Sequence, residues 1–188
     1  MKKIITIAIL FIAALSMTAQ HNYRLGQYYE GYIVNLDGEK VRGYLKYQDE
    51  SQRYKKVIFK TDKKAKKQKF KPKQLKAYKV AGEVFHSVAY KDVLFKNIHF
   101  LLLSEEGCIN TYSFGSFNSK QEWETKLVIA KGDEAYTGGT FLMGFSKKFS
   151  KFISENTALA KKVKNKEKGY KVLSILKIVK EYNAACTK

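Results

Sequence analysis

Hydrophobic and polar residues alternate between residues 28 and 60 in a pattern that predicts three β-strands. The segments 28–35 and 40–47 are rich in aromatic and β-branched residues, and Asp37-Gly38 between them suits the positive φ of a tight turn. Side chains of the second segment fall on two faces, with Val41, Gly43, Leu45 and Tyr47 on one and Arg42, Tyr44 and Lys46 on the other. The pattern therefore predicts a hairpin, followed by a third strand at 55–60.

Further short apolar segments continue this pattern to about residue 130. They predict strands at 76–81, 84–90, 95–103, 108–114 and 126–130. The segment 95–103 is nearly continuously apolar, which is typical of a central strand covered on both faces. Strands at this regular spacing, without long helices between them, favour an antiparallel meander that forms either a barrel or a sandwich.

The period of the pattern changes at Gly138-Gly139, and helices are predicted beyond that point. A helical stripe is formed by Phe141, Phe145, Phe149 and Phe152. Packing of this stripe against the sheet is the favoured interpretation, and a position on a membrane surface is the alternative. Two more helices are predicted at 157–164, with Asn156 as its cap, and at about 172–183. The predicted fold class is α+β, with a β-rich domain at 20–135 and a small helical segment at 136–188 that packs on it.

The first residues are typical of a secretory signal peptide. A positive start, Met1-Lys2-Lys3, precedes an apolar run at 4–15 and small residues before Ala19. The run is shorter than the roughly 18 apolar residues that a membrane-spanning helix needs. We therefore predict that residues 1–19 are cleaved and that the protein is exported to the periplasm, the cell envelope or the medium. No transmembrane segment is expected after cleavage.

The chain is strongly basic, with a formal net charge of +19, and loss of Lys2 and Lys3 with the leader lowers this by two to +17. Such an excess favours polyanionic partners. Only Arg24, Arg42 and Arg53 are arginines among the 36 basic residues. Arginine forks read phosphates and base edges best, whereas lysine is a strongly hydrated point charge. Because export also separates the chain from cytoplasmic nucleic acid, specific nucleic-acid binding is not expected.

Lysines are densest at residues 62–73, where like charges repel each other and favour a solvated loop or a hairpin at a strand edge. One interpretation is a polyanion-binding site for acidic envelope polysaccharide or lipid head groups. The other is a surface that only keeps the protein soluble. The candidate binding residues are Lys63, Lys64, Lys66, Lys67, Lys69, Lys71 and Lys73.

Two cysteines, Cys108 and Cys186, lie in the exported part of the chain. An oxidising compartment permits a disulfide between them. Cysteine is also among the most buried residue types, so a core thiol at Cys108 is the alternative interpretation. The sequence leaves both open.

The histidines and serines do not form a recognisable chemical motif. His21, His86 and His99 lack metal-ligand spacing and no CxxC is present, so no metal site and no cofactor are predicted. Ser116 stands in the sequence GSFN, which is not the GxSxG motif of a serine hydrolase. The protein is therefore expected not to be an enzyme, with a hydrolase that lacks a recognisable motif as an alternative.

Several short motifs resemble a group of exported envelope proteins of the Bacteroidota that have no known activity. In the β-rich part these are 31–34 (GYIV), Asp37-Gly38, 43–45 (GYL) and 58–60 (IFK). The tail matches through Phe149, Leu159, Val163, Ile175, Ile178-Val179, Tyr182-Asn183 and Cys186. The resemblance implies an exported envelope protein and implies no activity.

The function expected from the sequence is that of a non-catalytic exported envelope protein that binds or supports another macromolecule. Its partner would be an envelope protein or an anionic polymer. The alternative with a residue-level basis is binding of anionic polysaccharide or lipid head groups through the lysine-rich run at 63–73.

Overall fold

A computed structural model describes residues 22–92, 95–118 and 120–186. The predicted signal peptide at 1–19 and His21 lie outside the described residues. Within the described ranges the strands are β1 Tyr28–Val34, β2 Lys40–Lys46, β3 Val57–Lys60, β4 Gln68–Phe70, β5 Ala77–Val80, β6 Glu83–Lys91, β7 Lys96–Glu105, β8 Asn110–Phe117, β9 Trp123–Lys131 and β10 Glu134–Thr137.

The α-helices of the described residues are α1 Glu50–Arg53, α2 Gly138–Leu142, α3 Phe145–Phe152, α4 Thr157–Lys164 and α5 Ile175–Ala185. Short 3-10 helices cover Pro72–Gln74 and Val172–Ser174. In the part of the chain that the structure describes, no helix has the length and apolar character needed to cross a membrane. The longest, α5, has 11 residues.

All ten strands belong to one sheet, in the order β10-β9-β8-β7-β6-β5-β1-β2-β3-β4. Strand β10 also pairs with β6, in parallel, where Tyr136 lies opposite Lys91. This pairing closes β6–β10 into a five-stranded barrel, and β5-β1-β2-β3-β4 extend from it as an open sheet. The predicted α+β fold with a C-terminal helical segment is confirmed, and a barrel joined to a sheet replaces the choice between barrel and sandwich. Among the described strands, β4 is the one with a neighbour on one side only.

The predicted first hairpin is confirmed. Antiparallel pairing of β1 with β2 runs from Tyr28 opposite Lys46 to Val34 opposite Lys40. Gly38 in the connecting turn has φ +93°, in the left-handed region that glycine enters without the strain of a Cβ atom. The Asp-Gly signal therefore marks the turn correctly.

The barrel interior is filled by side chains from all five barrel strands together with Tyr54. Tyr54 follows α1, a helix that the sequence pattern did not predict. Its hydroxyl accepts a hydrogen bond from the Gly115 N–H (2.7 Å) and donates one to Glu50 (2.7 Å). Because both polar ends of this hydroxyl are satisfied, the buried ring can fill the barrel without an unpaired oxygen. The segment between β2 and β3 thus joins the open sheet to the barrel.

The C-terminal helices cover the outside of the barrel. Their apolar side chains pack on Ile109 and Ile129, and the cluster includes Phe141, Phe145, Phe149 and Phe152. Burial of this stripe confirms packing against the sheet. The single helix expected here is divided into α2 and α3, because Gly144 lies between them with φ +75°.

The caps and ends of the later helices agree only partly with the sequence pattern. Asn156 caps α4 as predicted, its side chain accepting a hydrogen bond from the Leu159 N–H (3.0 Å). The last helix, predicted from about residue 172, begins with the 3-10 turn at 172–174 and becomes α-helical at Ile175.

A covalent and a polar link hold the end of α5 on the turn between β7 and β8. Cys186 forms a disulfide with Cys108, which corresponds to the disulfide alternative and not to a core thiol. Asn183 accepts a hydrogen bond from the Ile109 N–H (2.8 Å) and donates one to the Ile109 carbonyl (2.9 Å). The side-chain amide of Asn183 therefore pairs with both polar groups of one residue, in the manner of a strand neighbour.

Candidate functional site

The outward face of the open sheet combines aromatic rings with positive charge. Ile33 and Leu45 point into the core, so the residues that alternate with them in β1 and β2 lie on the outer face. Cross-strand pairing aligns Tyr32 with Arg42 and with Lys79 of β5. We name this surface the tyrosine–lysine face and define it by Tyr28, Tyr32, Tyr44, Lys40, Arg42, Lys46, Lys60 and Lys79.

Lysine ammonium groups lie over the rings of this face. The distance from the Nζ atom to the ring centroid is 4.5 Å for Lys40 and Tyr32, and 4.8 Å for Lys60 and Tyr28. Contacts of this kind are worth about 0.5–1 kcal/mol at exposed sites. Such contacts are weak enough for a ligand to replace them. Before a ligand binds, they keep the lysine charges next to the tyrosine rings.

A groove of about 490 Å³ runs over this face, and most of its charged lining is positive. The acid in its lining, Glu30, accepts a hydrogen bond from the Tyr44 hydroxyl (3.3 Å). Within residues 22–92, 95–118 and 120–186, the five cations of the face form no ion pair shorter than 4.0 Å. Their charge is therefore available to an anionic ligand at a low desolvation cost.

The lysine-rich run meets this face with two of its members. Lys63 Nζ lies 5.6 Å from the ring centroid of Tyr44. Lys69 of β4 pairs with Ile58 of β3, which shares the outer face with Lys60 because the two are two residues apart. These two lysines extend the tyrosine–lysine face toward the edge of the sheet.

The other candidate lysines of the run are not gathered into one site. Asp62 accepts hydrogen bonds from the N–H groups of Lys64 (2.8 Å) and Ala65 (2.9 Å) and so forms a solvated turn. Buried Pro72 separates the two lysines that follow β4. The exposed members of the run outside the face are Lys64, Lys66, Lys67, Lys71 and Lys73.

Most of the tyrosine–lysine face was absent from the candidate residues of the sequence analysis. Arg42, Tyr44 and Lys46 were predicted to share one side of the second strand but were not predicted to form a site. The same period-two alternation in the first strand places Tyr28 and Tyr32 on one side, and this was the available signal. The pairing of β5 with β1 is a feature of the tertiary fold, so this alternation could not predict it.

The two described histidines each pair with a tyrosine. His86 Nδ1 lies 3.1 Å from the Tyr112 hydroxyl, and His99 Nδ1 lies 3.0 Å from the Tyr90 hydroxyl. Burial lowers the pKa of both rings below the ordinary value. Both histidines therefore lie in strands and are hydrogen-bonded to a tyrosine.

A second groove, of about 590 Å³, contains His86 and Ser87 but aligns them for no nucleophilic chemistry. The Ser87 hydroxyl donates a hydrogen bond to the Pro72 carbonyl (2.6 Å), whereas the His86 ring pairs with Tyr112. Ser116, examined as a candidate nucleophile, has a buried hydroxyl with no hydrogen-bond partner among the described residues. A search of the described residues finds no group of three or more His, Cys, Asp or Glu side chains that could hold a metal ion.

Lowering the pH from about 7.5 to about 5.5 is expected to destabilise the protein through His86 and His99. Both have a folded-state pKa below 6.5, so the unfolded chain binds protons first as the pH falls. The contribution of the neutral rings to the free energy of unfolding is fully present above about pH 6.5. It is lost as the pH falls through the folded-state pKa values. Thermal unfolding as a function of pH measures the effect. The double variant His86→Gln/His99→Gln should flatten the dependence, and an equally steep curve would assign it to other groups.

Comparison with known proteins supplies no relative. The chain matches no protein-family model, no curated protein and no solved structure. The geometry of the tyrosine–lysine face is therefore the basis for the functional argument.

Proposed function

We propose that this protein is a non-catalytic, exported binder of acidic polysaccharide and that the tyrosine–lysine face is its binding site. The observation that carries the proposal is a set of cations that form no ion pair with any described residue and that lie beside three tyrosine rings on one face of the sheet. This narrows the function expected from the sequence, binding of a macromolecule, to one class of anionic polymer.

The two kinds of side chain on the face suit two features of an acidic sugar chain. Carboxylates along the chain match ammonium groups that repeat along and across the strands, and many such contacts give affinity without a closed pocket. The apolar C–H faces of sugar rings match the half-buried tyrosine rings of the face, which retain a polar hydroxyl for hydrogen bonding. Single-stranded nucleic acid is the competing polyanion, since its bases also stack on aromatic rings.

Export is part of the proposal and rests on two supports. One is the predicted leader at residues 1–19, with its positive start and apolar run. The other is the Cys108–Cys186 disulfide, which persists in oxidising compartments. The periplasm and cell envelope are compartments where an exported protein meets acidic polysaccharide.

Replacing Arg42, Lys60 and Lys79 with glutamine should weaken binding to polygalacturonate by about tenfold or more, because three unpaired cations of one face are lost together. Isothermal titration at two salt concentrations, about 50 and about 200 mM, measures the affinity and its salt dependence. Unfolding of the variant should be unchanged, since these side chains are outside the core.

A matched control removes the same charge elsewhere, through Lys161→Gln, Lys164→Gln and Lys168→Gln on the exposed side of the C-terminal segment. A third variant, Lys64→Gln/Lys66→Gln/Lys67→Gln, tests the exposed turn of the lysine-rich run. Equal losses in all three would show that binding follows total charge and that no site exists.

Tyr32→Ala, which leaves the charge unchanged, should weaken polygalacturonate binding more than binding of inorganic polyphosphate, which has no rings. The reverse order would contradict a sugar ligand.

A further inference from the structure

The described residues expose nine large apolar side chains, and five of them lie near one end of the barrel. At this end β6 stops and β7 begins, β8 stops and β9 begins, and β10 joins the helices. The five residues are Phe95, Phe117, Trp123, Leu142 and Met143, with exposed fractions between 40% and 83%. Exposed apolar residues concentrated in one region mark an interaction surface, whereas scattered ones do not.

Hydrogen bonds hold the elements at this end together. Asp92, after β6, accepts a hydrogen bond from the Thr137 hydroxyl at the end of β10 (2.9 Å) and pairs with Lys126 of β9 (3.5 Å). The main-chain N–H of Asp92 donates to the Phe95 carbonyl (2.9 Å). Asp92 therefore links the end of β6 to β9 and β10.

Two aromatic rings pack on each other where β8 and β9 meet the loop that joins them. Phe117 and Trp123 are cross-strand partners, and their ring centroids are 5.0 Å apart in an edge-to-face arrangement. The indole packs against the main chain at Gly115, where a Cβ atom would overlap the ring. Because their positions are fixed before contact, little side-chain entropy is lost when the surface binds.

The charges around this end are mainly positive. Lys91, Lys96, Lys120 and Lys147 are exposed, and none of them forms an ion pair within the described ranges. Of the nearby acids, Asp92 and Glu124 are paired with Lys126, and Glu122 accepts a hydrogen bond from the Asn118 side chain (3.0 Å). Apolar side chains with a lysine rim are complementary to a bilayer that has anionic head groups above a hydrocarbon interior.

We propose that this barrel end docks on the surface of a membrane that contains anionic lipid, with Trp123 and its neighbours entering the interfacial region. Charge complementarity favours a lipid surface over an apolar protein groove. Tryptophan is also the side chain whose ring lies most readily at the interface. The docking surface and the tyrosine–lysine face lie toward opposite ends of β6, since Lys79 pairs with Val84 whereas Lys91 ends the strand. Seven residues of strand separate them by about 23 Å, so one molecule can use both surfaces at once.

Trp123 is the single tryptophan of the chain, so its fluorescence reports on the proposed contact directly. The probe is a vesicle of phosphatidylethanolamine and phosphatidylglycerol, added to the chain from Gln20 to Lys188, which lacks the apolar leader. A blue shift of Trp123 emission and quenching by brominated acyl chains are expected. Vesicles of phosphatidylcholine alone should bind about tenfold or more weakly, because the lysines lose their anionic partners.

Two matched double variants test which residues make the contact. Phe95→Ser/Met143→Ser should reduce vesicle partitioning by about tenfold or more, as insertion of two apolar side chains is lost. Leu36→Ser/Leu173→Ser removes equally exposed side chains elsewhere and should leave it unchanged. Vesicle binding without quenching of Trp123, equal loss in both variants, or no binding at all would each overturn the proposal. Substitution of Arg42, Lys60 and Lys79 should not affect vesicle binding, which separates this proposal from the one on polysaccharide.

Discussion

Replacement of Gly31 or Gly43 with alanine is expected to lower the free energy of unfolding by about 3 kcal/mol or more. These glycines are cross-strand partners in β1 and β2. A Cβ atom at Gly31 would overlap the Lys79 carbonyl, and one at Gly43 would overlap the Lys60 carbonyl. Both obstacles are main-chain atoms of neighbouring strands, so the strain cannot be relieved by rotation of a side chain. Urea unfolding followed by circular dichroism measures the loss.

Gly38→Ala is the matched comparison, because it separates crowding from backbone strain. Gly38 has φ +93°, and the nearest atom to an added Cβ is the mobile Lys76 Nζ at 3.7 Å. Only the cost of the left-handed conformation is expected there, about 1 kcal/mol. A Gly31→Ala variant that unfolds no more easily than Gly38→Ala would show that the strands do not approach as closely as described.

Loss of the Cys108–Cys186 disulfide is expected to destabilise the protein by about 4 kcal/mol, on the chain-entropy account of cross-links. The bond joins residues 78 positions apart and closes a loop that contains three of the five barrel strands, β8, β9 and β10. Without the bond, the unfolded chain gains conformational freedom and the native chain gains none. Thermal unfolding of Cys108→Ala/Cys186→Ala against the oxidised protein measures the difference.

Asn183→Ala serves as the control for the disulfide variant. It removes the two hydrogen bonds to Ile109 but leaves the cross-link, and should cost about 1–3 kcal/mol, since the main chain of a buried residue loses its partner. If the cysteine variant were no less stable than the oxidised protein, the tail would be held by packing and by the Asn183 hydrogen bonds without help from the cross-link.

Local sequence patterns correctly predicted the elements that are specified by residues within one short segment. The first hairpin combines period-two alternation with an Asp-Gly turn, and Gly38 adopts the positive φ that this pair indicates. The phenylalanine stripe predicted helices with a buried face, and Phe149 is fully buried. In each case the residues that determine the structure are adjacent along the chain.

Barrel closure could not be predicted because it depends on a contact between distant segments. Strand β10 has four residues, and no strand was predicted beyond 126–130. Its pairing with β6 brings Tyr136 beside Lys91, and nothing in the intervening sequence indicates a parallel contact. Short strands acquire their partners from tertiary packing, which overrides local propensity.

The candidate site was predicted in part for a similar reason. Composition identified lysine-rich residues 62–73, and the structure places Lys63 and Lys69 at the tyrosine–lysine face. The central residues of that face come from β1, β2, β3 and β5. The pairing of Lys79 with Tyr32 spans strands that are not consecutive in the chain, so the charge density of one segment could not reveal it.

Because β4 lies at the edge of the sheet, its lysines affect how the protein behaves in concentrated solution. Barrel closure supplies partners for both sides of β10, so among the described strands β4 alone presents main-chain donors and acceptors on an open side. Such an edge is a template for a strand of another molecule and for aggregation. Strand β4 has three residues, with Lys69 at its centre and Lys67 and Lys71 immediately beside it. Two copies that approached edge to edge would bring these like charges together, and the repulsion disfavours pairing of the two edges.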